Sequence, residues 1–123
     1  MLNFLGSGDQ SGDRVKAASP INYVTKDAPP ILTFHGTLDP MVPFHQAELL
    51  RDALKKNDVP EQLVPIENGL HGGWAAAAKR TADDEAIAWF DKYLKGSHEP
   101  LPPFGAIAPD GSVDRGTTSA STR

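Results

Sequence analysis

The chain has 123 residues, a formal net charge of −4 at neutral pH and no cysteine. That composition excludes a disulfide scaffold and thiolate metal sites, and its scattered Lys and Arg give no basic footprint for nucleic acid. No run of about 18 apolar residues is present to span a membrane, and Met1-Leu2-Asn3-Phe4-Leu5-Gly6 has neither the basic nor the long apolar region of a signal peptide.

The apolar supply is thin. The hydrophobic share is 39%, but 15 of those residues are alanine, and Leu, Ile, Val and Phe together number 27. A chain of this length reads as one domain, yet this core is small for a self-sufficient α/β unit. Localisation stays open.

Residues 6–13 are loop by composition, Gly-Ser-Gly-Asp-Gln-Ser-Gly-Asp. A short helical piece is expected over 14–18, ended by Pro20, because the residue before a proline avoids helical geometry. After Pro29-Pro30, residues 31–35 (Ile-Leu-Thr-Phe-His) form a short apolar run stopped by Gly36. Such a run suits a parallel strand covered on both faces. Over 44–57, Phe44, Ala47, Leu50 and Leu54 recur at three- and four-residue steps, with most charges elsewhere, which predicts an amphipathic helix.

A second strand is expected over 62–66, Gln-Leu-Val-Pro-Ile, and Pro65 assigns it to a sheet edge because proline cannot donate to a ladder. The last helix is expected from an N-cap at Thr81, with Asp83, Asp84 and Glu85 at its positive end and Lys92, Lys95 and Gly96 at its close. Its apolar face would be Ala82, Ala86, Trp89, Phe90, Tyr93 and Leu94. Pro, Gly, Ser and Thr supply 14 of residues 97–123, which read as a solvated, disordered tail after a domain portion at 1–96. Strand–helix–strand–helix with parallel strands is a βαβα unit of the α/β class.

Two residues carry chemistry by their setting. Asp39 lies in Phe34-His35-Gly36-Thr37-Leu38-Asp39-Pro40, just past the first strand. His71 lies in Asn68-Gly69-Leu70-His71-Gly72-Gly73, just past the second. Taken singly, an Asp before Pro is a common turn residue and a histidine among glycines is often merely exposed. An acid and then a histidine on successive strand-end loops is a sharper signal. Gly69, Gly72 and Gly73 would let the histidine loop bend.

These segments, with Ser19-Pro20-Ile21-Asn22-Tyr23-Val24 and Met41-Val42-Pro43, resemble the alpha/beta-hydrolase esterase/lipase superfamily over roughly residues 15–96. The similarity runs to acetyl-esterase and hormone-sensitive-lipase-like carboxylesterases, and prolyl-oligopeptidase-type serine peptidases share the pattern. The resemblance implies that the chain is the C-terminal βαβα portion of such a sheet, its last two parallel strands with flanking helices. It also implies that Asp39 is the triad acid and His71 the triad histidine, acting on a small-molecule ester without a cofactor.

The nucleophile is missing from that pattern. None of the seven serines (Ser7, Ser11, Ser19, Ser97, Ser112, Ser119, Ser121) has glycine at both −2 and +2, as G-x-S-x-G requires, and no upstream glycine-rich segment supplies oxyanion amides. The expectation is therefore a parent serine ester hydrolase whose nucleophile precedes residue 1, with the isolated chain inactive. The alternatives are an inert fragment or interaction module, and a serine peptidase of prolyl-oligopeptidase type. His35 reads as a packed strand-end residue, His45 as solvated, His98 as a tail residue, and Trp74 as either packing or pocket lining. No close ligand pair such as H-E-x-x-H supports a metal site. An unpaired edge on the first strand predicts self-association.

Overall fold

In the computed structural model, residues 20–114 are described. The helical piece expected over 14–18 lies outside them, and Pro20 opens a short 3₁₀ turn, Pro20–Tyr23. Strand β1, Ile31–Gly36, and strand β2, Glu61–Ile66, pair in parallel, with Ile31 opposite Glu61 and Gly36 opposite Ile66. Helix α1, Phe44–Lys56, makes the crossover between them and packs on both strands. Its apolar spacing puts Ala47 and Leu54 inside, and Lys55 and Lys56 complement the negative end of its dipole.

Helix α2 spans Ala76–Leu94, six residues longer at its start than an N-cap at Thr81 would allow. The run Ala75-Ala76-Ala77-Ala78 explains the extension: alanine orders into a helix at the least entropic cost, so the helix propagates back to the glycines of the preceding loop. Thr81 is thus no cap. From the helix interior its hydroxyl lies 3.2 Å from the Ala77 carbonyl oxygen and 2.7 Å from that of Gly111. The end matches expectation, with Gly96 at φ 69° just past the helix. The expected apolar face is narrower than its composition: Ala82 and Trp89 are buried, but Phe90 is 57% and Leu94 77% exposed.

The largest correction concerns the tail. Residues 97–114 are not a solvated arm. Ile107 is fully buried in one cluster with Val64, Ile66, Ala78 and Ala82, against which Leu32, Phe34, Trp74, Phe104 and Val113 pack. Its N–H donates to the Pro65 carbonyl and its carbonyl accepts from Glu67 N–H, each at 2.8 Å, so it bridges the outer side of β2. A residue's N–H and C=O point to the same side of a strand, so the proton that Pro65 lacks belongs to this outer side, where no β1 bond is lost. Composition hid this because one isoleucine with Phe104 and Val113 carries the contact. Residues 115–123 lie outside the described part.

β1 also departs from expectation. All its residues but Gly36 are only half-buried. Among the described residues the sheet has just these two strands, so nothing pairs with the far edge of β1.

Candidate active site

The register sets the site. Because Gly36 sits opposite Ile66, both strands end at one level and their loops leave side by side. Backbone bonds then lace the loops: Thr37 N–H donates to the Ile66 carbonyl at 3.0 Å and Leu38 N–H to the Gly69 carbonyl at 2.9 Å. The Thr37 hydroxyl accepts from Asn68 N–H at 2.9 Å.

The lacing requires glycine at 36. A Cβ there would collide with the backbone carbonyls of Gly69 and Leu70, and no side-chain movement relieves a clash with backbone. Gly72 and Gly73 adopt positive φ, as the bend of the loop requires. Gly69 has another task, since it is the near face of the Gly36 contact, and Asn68 takes the positive φ beside it at 60°. Trp74 Nε1–H closes the loop by donating to the Leu70 carbonyl at 3.1 Å.

Asp39 and His71, 32 residues apart in sequence, meet here. His71 Nδ1 lies 2.9 Å from Asp39 Oδ2. The other carboxylate oxygen, Oδ1, accepts from Met41 N–H at 2.8 Å and Val42 N–H at 2.9 Å. Burial of this carboxyl pushes its pKa up, but the Val42 bond, the His71 bond, the Met41 bond and the His71 charge outweigh it and lower the pKa to about 2. Asp39 is therefore ionised at neutral pH. Its side chain is 6% exposed and that of His71 54% exposed, so the acid is enclosed and the ring reaches solvent. With Nδ1 committed to Asp39, the neutral ring carries its proton there and presents the Nε2 lone pair outward.

A hollow of about 200 Å³ adjoins the pair, lined by Phe34, His35, Val42, Leu70 and Trp74 together with Asp39 and His71. Trp74 thus both lines this space and packs on the core. His35 is nearer the pair than a simple packing residue, with Nε2 3.5 Å from Asp39 Oδ2. His45 is exposed beside Glu48, and His98 is exposed. Neither described serine lines the hollow; the Ser112 hydroxyl donates to Asp110 and the Ser97 hydroxyl accepts from Glu99 N–H. Among the described residues no group of three His, Asp or Glu is arranged to hold a metal ion, and no helix is long and apolar enough to cross a membrane.

The chain is similar to known proteins in sequence and in fold. The chain is 52% identical over 40 residues to esterase LipQ of Mycobacterium tuberculosis, a match covering 32% of this chain and 10% of that protein. Its structure is similar to Thermogutta terrifontis esterase 2 phosphorylated by paraoxon, with a TM-score of 0.60 and 28% identity over 76% of this chain. The same esterase phosphonylated by cyclosarin matches with a TM-score of 0.60 and 28% identity over 78% of this chain. The chain spans 37% of the length of those solved chains and a tenth of the curated relative. The prolyl oligopeptidase family model matches residues 2–97. Two parallel strands, two flanking helices and this match together establish that the chain belongs to the prolyl oligopeptidase family and has an α/β-hydrolase esterase fold.

Proposed function

We propose that Asp39 and His71 are the acid and the general base of a serine carboxylic-ester hydrolase, with the nucleophile and oxyanion donors supplied from outside this chain. One observation carries the reading: the 2.9 Å contact between Asp39 Oδ2 and His71 Nδ1, which leaves Nε2 available. A serine hydroxyl is a weak nucleophile at neutral pH, so an imidazole must take its proton and later return one to the leaving alcohol. The enclosed carboxylate of Asp39 holds the ring in the required tautomer and stabilises the imidazolium formed during the reaction. The apolar wall of Val42, Leu70 and Trp74 beside the pair suits the hydrocarbon part of a small ester.

The esterase relatives support ester over peptide chemistry, and phosphorylation by paraoxon is the behaviour of an enzyme with an activated nucleophile. The family match over residues 2–97 favours the second reading, a peptidase of prolyl-oligopeptidase type. The test is the product of the coding sequence read through upstream of Met1, assayed on p-nitrophenyl esters and prolyl amides. We expect ester turnover, with His71→Ala lowering kcat by about a thousandfold or more. Preferential cleavage of the amide would select the peptidase, and undiminished kcat in His71→Ala would refute the assignment. No turnover on either substrate would leave an inert hydrolase-like module.

A further inference from the structure

We propose that His35 is a positioning residue for the Asp39–His71 pair, acting through Val42; the inference rests on the reading of that pair as acid and base. Val42 is held at both ends of its backbone. Its N–H donates to Asp39 Oδ1 at 2.9 Å, and its carbonyl accepts from His35 Nε2–H at 2.8 Å. Met41 N–H reaches the same Oδ1 at 2.8 Å. The strand-end histidine therefore pins the residue that pins one oxygen of the acid, which turns the other oxygen toward His71.

The same nitrogen lies 3.5 Å from Asp39 Oδ2, too far for a full hydrogen bond, and its proton is given to the Val42 carbonyl. Asp39 Oδ2 thus has His71 as its hydrogen-bond partner, and His35 braces the acid from behind through Val42. The ring of His35 is itself fixed, with its side chain 14% exposed and Phe44 packed edge-on at 5.6 Å and 81°. Packing alone does not require histidine here. Phenylalanine would fill the volume and leave the Val42 carbonyl without this donor, so the loop would lose the bond that fixes Val42. Glutamine extends an N–H₂ to about the reach of Nε2, while the amide of asparagine stops short.

The experiment uses the full chain with 15N-labelled histidine and reads the tautomer of His71 from long-range 1H–15N correlations, at a pH where the rings are neutral. The wild-type chain should hold His71 mainly as the Nδ1–H tautomer. His35→Phe and His35→Asn should lower that fraction at least twofold, and His35→Gln should restore it, an outcome that a purely space-filling role would not produce. Amide protection across β1 and β2 monitors the fold in each variant. If His35→Phe unfolds, His35→Asn decides the question. An unchanged tautomer in a folded His35→Phe or His35→Asn chain would overturn the proposal, as would loss of protection in both, which would make His35 a residue of the fold rather than of the loop. Asp39→Asn separates the two readings. If it leaves the His71 tautomer unchanged, the pair itself is refuted; if it shifts the tautomer while the folded His35 variants do not, only the role of His35 falls.

Discussion

Asp39 is anchored by three hydrogen bonds, two backbone N–H groups on one oxygen and His71 on the other, with His35 Nε2 3.5 Å from that second oxygen. Its lowered pKa has a stability consequence whose sign is fixed. A carboxyl with a folded-state pKa of about 2, below its ordinary 3.8, stabilises the fold at pH above the ordinary value and loses that contribution as pH falls through about 2. Asp39→Asn should therefore lower the urea midpoint at pH 7, and the gap to the wild-type chain should narrow below about pH 4 and close near pH 2. A gap independent of pH would mean that the carboxylate charge contributes nothing. Asp39 and His71 were legible as a pair because each stands on a strand-end loop in a recognisable setting. Their neighbours were not. The Gly36 contact, the Thr37–Asn68 bond and the His35–Val42 bond depend on how two distant loops cross, which neither periodicity nor local turn chemistry encodes.

Among the elements, β1, α1 and β2 lie within a residue of their expected limits because their apolar periods are clear and Pro and Gly bound them. The α2 start and the tail escaped for opposite reasons. A run of alanines has helix propensity but no amphipathic pattern, and Phe104, Ile107 and Val113 are spaced too widely to form one. The tail now carries a prediction. Ile107→Ala removes a fully buried side chain from the cluster between β2 and α2 and should destabilise the chain by about 2–5 kcal/mol in urea denaturation. A change below about 0.5 kcal/mol, the size usual for surface positions, would show that the tail does not pack in solution. Gly36→Ala makes the complementary test at the other end of the sheet. The clash with the Gly69 and Leu70 carbonyls should cost about 1–3 kcal/mol and move His71 away from Asp39, visible as loss of its Nδ1–H tautomer. Retention of both stability and tautomer would contradict the close approach.

At the scale of the molecule, the edge of β1 is the side that no other strand covers among the described residues. An open hollow of about 280 Å³ lies on its α1 side, lined by Ile21, Thr33, Val42, Ala47 and Leu50, and one of about 230 Å³ lies on its α2 side, between Leu32, Phe34, Trp89 and Phe90. An unpaired strand edge flanked by apolar hollows is a template for another chain. We therefore expect the isolated chain to self-associate, with an apparent mass by light scattering that rises over the micromolar range, and Phe90→Glu should weaken the association. A monomer at every concentration would refute this. The proposal that Asp39 and His71 form an oriented acid–base pair whose nucleophile is supplied from elsewhere is tested most directly by hydrolysis of p-nitrophenyl acetate by the full chain. We expect a slow rate that is linear in substrate, no higher than imidazole attack permits, reduced in His71→Ala and unaffected by a serine-directed phosphonate. Saturable turnover that the phosphonate abolishes would contradict it.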